Sequence, residues 1–343
     1  MLTARFDQLA FHRVVPAIYA VETVLFLLLA FVAEQFVLAI VLVLALADGT
    51  LAITARGLLR GAVAATLKPH DQLRAGNGLV NVGFAVSSVG GAALGGLIIA
   101  VSSVQVALLI DAATFALAGV VLLGARRVNA VAPSEGRSPL LRLREGLGHA
   151  TRAPFVRLLF AGQAVALVFF TLVIPIEVIY AKESLGAGDA GFGLLLASWG
   201  AGIVVGSLVF VSVRSASAAR LALLGAAAVG VAYLGMAAAE TLLVACALSV
   251  LGGAGNGVQW VAVVTLVQEH TSLSLQARAA GLMESLAAAM PGFGFVLGGG
   301  LTAVSSPRVA YAVAGVGVLA LVCLAPFLAW RMGELGGRPR SAA

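Results

Sequence analysis

The sequence predicts an all-α polytopic membrane protein. Three observations predict it. Hydrophobic residues make up 61% of the chain and charged residues 10%, and the mean hydropathy is +1.07. Apolar stretches of about 18–25 residues recur, the length one bilayer crossing needs at about 1.5 Å rise per residue. The few charges are sorted by side, Arg and Lys crowding every second connection.

Ten stretches are expected to cross. The first, 15–33, carries Glu22, and the second, 37–58, carries Asp48 and Arg56. The third, 78–101, is rich in glycine, and the fourth, 104–125, carries Asp111. A polar stretch follows that is too short for a core of its own and reads as a linker. Six more crossings are expected near 156–180, 190–212, 219–239, 241–265, 278–303 and 309–330. The expected organisation is a four-helix bundle at 1–125, a cytoplasmic linker at 126–155 and a six-helix bundle at 156–343.

The charges orient this array. Arg5 and Arg13 precede the first helix, and Arg60, Lys68 and Arg74 follow the second. Arg126, Arg127, Arg137, Arg142, Arg144, Arg152 and Arg157 follow the fourth. Arg214 and Arg220 follow the sixth, Arg278 the eighth, and Arg331, Arg338 and Arg340 the tenth. The intervening loops hold Lys182 and Arg308 among the acids Glu34, Glu183, Asp189 and Glu240. The positive-inside rule places both ends and the linker in the cytoplasm of a cell (inner or plasma) membrane.

Composition also excludes classes of function. The net charge of +6 belongs to these loops, and no aromatic-basic cluster accompanies it, so no nucleic-acid partner is expected. The four histidines, at 12, 70, 149 and 270, lack metal-ligand spacing, and Cys246 and Cys323 sit singly inside apolar helices. No phosphate-cradling G-x-x-x-x-G-K-[ST] occurs. No metal, no cofactor and no enzymatic activity is expected. The first residues are polar and charged and are not expected to form a signal peptide.

The chain repeats itself. At an offset of 203 residues, Leu73–Ala107 falls on Gln276–Ala310, with Gly78 on Gly281, Gly91 on Gly294, and Leu94-Gly95-Gly96 on Leu297-Gly298-Gly299. Val101-Ser102-Ser103 falls on Val304-Ser305-Ser306. Helices two to four thus correspond to helices eight to ten in the same orientation, and parallel repeats are the plan of two-halved secondary transporters.

Glycine spacing carries a resemblance. Gly78-x8-Ser87-x3-Gly91-Ala92-Ala93-Leu94-Gly95-Gly96 resembles the antiporter motif G-x8-G-x3-G-P-x-x-G-G on the fifth helix of the major facilitator superfamily (MFS). Ser87 stands for a Gly and Ala92 for the Pro. Of that family's G-x-x-x-D-R-x-G-R-R loop pattern only Arg5 and Arg13 remain. Asp48 stands at the depth where the family's fourth helix carries an Arg. The resemblance implies the two-bundle MFS fold with about ten crossings, 4 + 6, matching the family's helices three to twelve, the first pair being absent. It is strongest to the bacterial drug or secondary-metabolite exporters. It implies proton-coupled efflux of a small organic molecule by alternating access, with a small-molecule substrate, protons and the lipid bilayer as partners. A truncated remnant that does not transport, or a membrane scaffold, is the alternative.

An ionisable group near mid-bilayer costs about 2.5–3.5 kcal/mol on insertion scales, so each such group is a functional candidate. Asp48, Asp111 and Glu22 are the proton-coupling candidates. Asp48, Ala52 and Arg56, four apart, share one helix face. The family's cavity-lining helices correspond to the second, fifth and eighth here, which makes Gln163, Phe170, Asn256 and Gln259 cavity candidates beside Arg56 and Asn81. Few polar groups and an aromatic suit a large apolar substrate better than a sugar. Glu177 is expected near the outer surface in contact with water, and Glu284 is expected to pair with Arg278.

Small residues four apart let helices approach closely in lipid. Gly78, Ser87, Gly91, Gly95 and Gly96 form one such face, Gly202 and Gly206 a second, and Gly294 and Gly298 a third. In the family the third face meets the second helix, which has no counterpart here. Gly294 and Gly298 are therefore expected to lack a partner, and Gly91→Leu is expected to do more damage than Gly294→Leu.

The topology is open to a direct check. With Cys246 and Cys323 replaced, a single cysteine at Ala187 is expected to react with an impermeant thiol reagent in intact cells, and one at Ser134 is not. The reverse pattern inverts the orientation.

Overall fold

The computed structural model describes residues 11–32, 38–124, 148, 154–213 and 215–331. Most of the expected linker, both chain ends and Arg214 lie outside them. Ten long helices are present among the described residues: α1 Phe11–Val32, α2 Leu38–Leu67, α3 Leu73–Val101, α4 Val104–Leu123, α5 Pro154–Thr171, α6 Gly188–Ser212, α7 Ala218–Ala238, α8 Leu242–Glu269, α9 Gln276–Val304 and α10 Pro307–Arg331. Among the described residues nine spans are long and apolar enough to cross a membrane; α3, 29 residues long, falls outside that set.

Local chemistry sets several ends. The side chains of Ser103, Ser217 and Thr241 each accept a hydrogen bond from the backbone N–H three residues on, capping α4, α7 and α8. α2 and α8 run past the apolar stretches that predict them, to Leu67 and Glu269. A helix keeps its backbone bonds where its side chains turn polar, so hydropathy understates its length. The fifth stretch does the opposite. It is helical only to Thr171, then passes through a 3₁₀ turn at Ile174–Ile176, one helical turn at Glu177–Ile179 and a π-type turn at Tyr180–Ser184. Pro175 lies inside the 3₁₀ turn, where its missing N–H cannot extend an α-helix.

The chain forms two compact units. The first comprises residues up to Leu73, Gly90–Leu147 and Thr271–Ser285. Within it α1 packs on α4. Gly119 admits the Pro16 carbonyl and Tyr19, and Phe115 meets Tyr19 edge-on at 5.8 Å and stacks on Phe26 at 5.2 Å between ring centroids. Val14, Val15 and Ile18 of α1 share a core with Ala55, Leu58 and Ala62 of α2. Gly61 of α2 lies against Ala277, where an added β-carbon would stand 2.8 Å from the Ala277 Cα. Lys68 Nζ donates to the Thr271 carbonyl at 2.8 Å.

The second unit comprises Arg74–Val89, Gly148–His270 and Leu286–Ala343. Glycines set its helix crossings. Gly202 and Gly206 of α6 face the α8 backbone at Val250, Gly253 and Ala254, and Gly253 and Gly257 of α8 face Trp199 and Ile203 in return. Gly225 of α7 meets Gly255 of α8, and Gly230 of α7 meets Gly315 of α10. The α3 segment of this unit joins by polar contacts. Arg74 donates to the carbonyls of Val213 (2.5 Å) and Ala216 (2.8 Å), and Asn77 donates to Thr265 Oγ1 (3.0 Å) and Gln268 Oε1 (2.5 Å). Gly78 lies against Val211 and the Ser207 carbonyl.

The third glycine face overturns its expectation. Gly294 and Gly298 are buried against α5 and the turn after it, touching Val168, Thr171 and Leu172. A β-carbon on Gly294 would fall 2.6 Å from the Val168 carbonyl oxygen. Gly91 and Gly95, their repeat mates, have no described atom within 4 Å of such a carbon, and Ser87 is exposed. The Gly96 side position lies outside the described set. The physical reason is that a small-residue face takes whichever helix its own bundle brings to it, and α5 supplies one.

The order of damage is accordingly reversed. Gly294→Leu should lower stability to thermal unfolding in detergent by at least about 2 kcal/mol, because it drives a side chain into α5 backbone. Gly91→Leu should stay within about 0.5 kcal/mol. Equal losses would mean that α5 yields freely at the crossing.

Candidate functional site: a charge network in the first unit

α1 carries Glu22 at its middle. The side chain is 0% exposed, and among the described residues neither carboxyl oxygen has a hydrogen-bond partner. Burying an unpaired polar group costs free energy, so this carboxyl is retained against a penalty. α2 brings two charges to it. Asp48 is half-buried, and Arg56, two helical turns on, has a side chain 47% exposed with Nε donating to the Ala52 carbonyl at 3.3 Å. The charges of Asp48 and Arg56 both act on Glu22, and the charge of Asp111 on α4 acts on Asp48. Asp111 itself is exposed, and its carbonyl accepts a bond from the Thr114 hydroxyl at 2.7 Å. Three helices thus bring Glu22, Asp48 and Asp111 into one electrostatic neighbourhood with a single described counter-charge, Arg56.

One turn further along α2, Arg60 Nε donates to Glu284 Oε1 at 2.6 Å, and Arg56 Nε stands 4.0 Å from Glu284 Oε2. The side chains of Arg60 and Glu284 are 11% and 5% exposed. Glu284 therefore pairs with Arg60, and more loosely with Arg56, and not with Arg278. The reason is long-range packing: Gly61 admits the start of α9 so closely that the α2 arginines reach it first. Arg60 is the member of this network that sequence reasoning passed over. Its position four residues after Arg56, on the Asp48–Arg56 face, was the available signal.

The other candidates fall in the second unit. Gln259 Nε2 donates to Gln163 Oε1 at 2.7 Å, joining α8 to α5, and both side chains are buried. Gln163 Nε2 and Gln259 Oε1 have no described partner, so the pair keeps one donor and one acceptor uncommitted. Asn256, a turn earlier on the Gln259 face, is half-buried. Phe170 is packed in the apolar core, its carbonyl accepting the Tyr233 hydroxyl at 2.8 Å, and a ligand would have to displace that packing to reach it. Asn81 is buried and donates to Ser207 Oγ at 2.8 Å, which commits it to a helix contact. The structure thus gathers the charged candidates in one unit and Gln163, Asn256 and Gln259 in the other.

A family model for the Major Facilitator Superfamily matches residues 159–343. No curated protein sequence matches the chain. Solved structures do. The human organic anion transporter MFSD10 (TETRAN) superposes with a TM-score of 0.80 at 15% identity, over 94% of this chain and 79% of that one. The E. coli fucose:proton symporter FucP gives 0.72 at 14% identity, over 95% and 86%. The proton:xylose symporter XylE gives 0.67 at 13% identity, over 96% and 82%. At these identities the likeness is one of fold.

The Arg60–Glu284 pair predicts an asymmetric mutational response. Arg60→Ala strands a buried carboxylate and should cost about 3–5 kcal/mol in detergent unfolding. Replacing both residues with Leu should recover most of that loss. A double variant as unstable as the single one would show that the pair is not what Arg60 contributes.

Proposed function

Because the chain belongs to the Major Facilitator Superfamily, we propose that this multi-pass secondary transporter exports a small organic molecule in exchange for protons. The observation that carries the reading is the buried Glu22 carboxyl, whose two oxygens have no described partner and which feels both Asp48 and Arg56. A carboxyl in a dry, unpaired setting holds its proton, and wetting the same setting releases it. Alternating access supplies that alternation. When Glu22 gives up its proton, its carboxylate competes for Arg56, which also stands 4.0 Å from Glu284. The charge change then reaches the start of α9. Asp48 and Asp111 serve as neighbouring proton acceptors.

Export is favoured by the antiporter-like spacing from Gly78 to Gly96. A large, mostly apolar substrate is favoured by the small polar set of Gln163, Asn256 and Gln259, since a sugar needs many paired groups. The bundles at 1–125 and 156–343, joined by the linker at 126–155, are the moving parts. The location is the cell membrane with both ends in the cytoplasm, and no step of the cycle is enzymatic.

The chain reconstituted in liposomes should move amphiphilic aromatic dyes against an imposed pH gradient. Glu22→Gln should reduce gradient-driven movement to the level of protein-free liposomes and leave dye-for-dye exchange intact. Asp48→Asn and Asp111→Asn, measured the same way, rank the three carboxyls. Full gradient-driven transport by all three variants would remove this cluster from the mechanism.

A further inference from the structure

The second unit holds a carboxyl that the export cycle does not use. Glu177 was expected at the wetted outer surface, yet its side chain is only 8% exposed. It lies at the start of the single helical turn between the 3₁₀ and π-type segments that follow α5. Among the described residues nothing bonds to it or forms an ion pair with it.

Aromatic residues surround the turn. Tyr180 stands 4.7 Å from Tyr311, and Tyr311 stands 5.7 Å from Tyr233, measured between ring centroids. Trp199 of α6 stacks on Tyr233 at 5.6 Å with 15° between the planes. The Glu177 charge acts on both Tyr233 and Tyr311. Tyr180 and Tyr233 have committed their hydroxyls, to the Met236 and Phe170 carbonyls.

The segment is held at both ends and irregular between them. Gly298 of α9 packs on Leu172, and Arg308 of α10 donates to the carbonyls of Ser184 (3.1 Å) and Ala237 (2.9 Å). Gly186 and Gly188, at φ of 62° and 63°, turn the chain into α6. Irregular backbone inside a membrane-spanning segment is where transporters place ion sites, because freed backbone groups and a carboxyl can be re-satisfied there. A bare carboxylate in this aromatic setting lacks a counter-charge, whereas the protonated group is an ordinary hydrogen-bond donor.

We propose that Glu177 is a proton-binding site of its own, and that its charge state sets how the turn Leu172–Ser184 seats on the tyrosine cluster. One proton adds to a carboxylate oxygen from water and leaves by the same route. The titratable groups on the segments packed around it are few. α7 presents Tyr233, α10 presents Tyr311 and, acting on Tyr180, Arg308. Its own segment carries Tyr180, and the exposed Lys182 and Glu183. α6, which also packs on the turn, has Asp189 in its first turn as its one titratable residue. The inference stands apart from the Glu22 reading and survives or fails without any transport substrate.

Trp199 supplies the readout. Of the three tryptophans, Trp260 and Trp330 can be changed to Phe, leaving Trp199 alone on Tyr233. The full chain in lipid nanodiscs is titrated from about pH 9 to about pH 5, and Trp199 emission is followed. The expected result is a one-proton transition that Glu22→Gln retains and Glu177→Gln abolishes, holding the low-pH signal throughout. The carboxylic C=O infrared band that appears on acidification should lose one component in the same Glu177→Gln protein. If that variant does not fold, Glu177→Asp should shift the midpoint of the transition. A flat titration, or a transition unchanged by substitution at Glu177, overturns the proposal.

Discussion

Backbone-to-backbone contact at glycine is the constraint on which the rest of the second unit depends. Lipid tails are as apolar as leucine, so burying apolar surface gives two helices little reason to associate. Dispersion between closely fitted surfaces must do it, and dispersion falls away within an ångström of extra separation. Gly202 and Gly206 on α6, Gly253 and Gly257 on α8, and Gly225 against Gly255 remove the side chains that would impose that separation. The polar contacts can then form at short range. Ser249 reaches the Leu195 carbonyl at 3.0 Å, and Gln259 reaches Gln163 at 2.7 Å, because the backbones carrying them are already close.

The same constraint explains how the first unit tolerates its charges. Gly61 brings the start of α9 against α2, and that approach lets Arg60 meet Glu284 at 2.6 Å with both side chains largely buried. A buried ion pair is worth keeping only when its geometry is close, since desolvation offsets most of the attraction. Arg56 is the opposite case. Its side chain is 47% exposed and stands 4.0 Å from Glu284, and its charge acts on Glu22 and Asp48. A charge placed among carboxylates in this way responds to the protonation of each, which a sealed pair would prevent.

Much of this was legible in the residues, and the failures share a cause. The ten long helices were readable because helix length and hydropathy are local properties, although α3 falls outside the nine described spans apolar enough to cross. The face Asp48–Ala52–Arg56 was readable because helical spacing is local too. What covers a face is not local. The partner of Glu284 lies 224 residues away in the chain, and no spacing rule could choose Arg60 over Arg278. Gly294 was expected to lack a partner because the resemblance gave its face to a different helix, when α5 was at hand. Asn81 and Phe170 show a related ambiguity: polar or aromatic residues at helical spacing mark a cavity wall and a helix contact equally well. Pro175 was visible, but its consequence, a membrane span that abandons the α-helix around Glu177, depends on the tyrosines packed beside it.

The repeat makes the division of labour explicit. Asn81 and Glu284 occupy equivalent positions, 284 − 81 being the repeat offset of 203. Each makes a polar contact from its segment. Asn81 meets a serine hydroxyl in the second unit, and Glu284 meets two arginines in the first. The two equivalent positions thus carry a neutral contact in one unit and an ionic contact in the other. The sequence-predicted candidates divide in a similar way: Glu22, Asp48 and Asp111 lie in the first unit, and Gln163, Asn256 and Gln259 in the second. Amides offer fixed donors and acceptors at any pH, while carboxyls change with the proton. Among these candidates the titratable groups lie in one unit and the amides in the other. Glu177 breaks that division: it is a buried carboxyl of the second unit with no hydrogen-bond or ion-pair partner among the described residues, so its effect on the tyrosines beside its turn comes through its own charge.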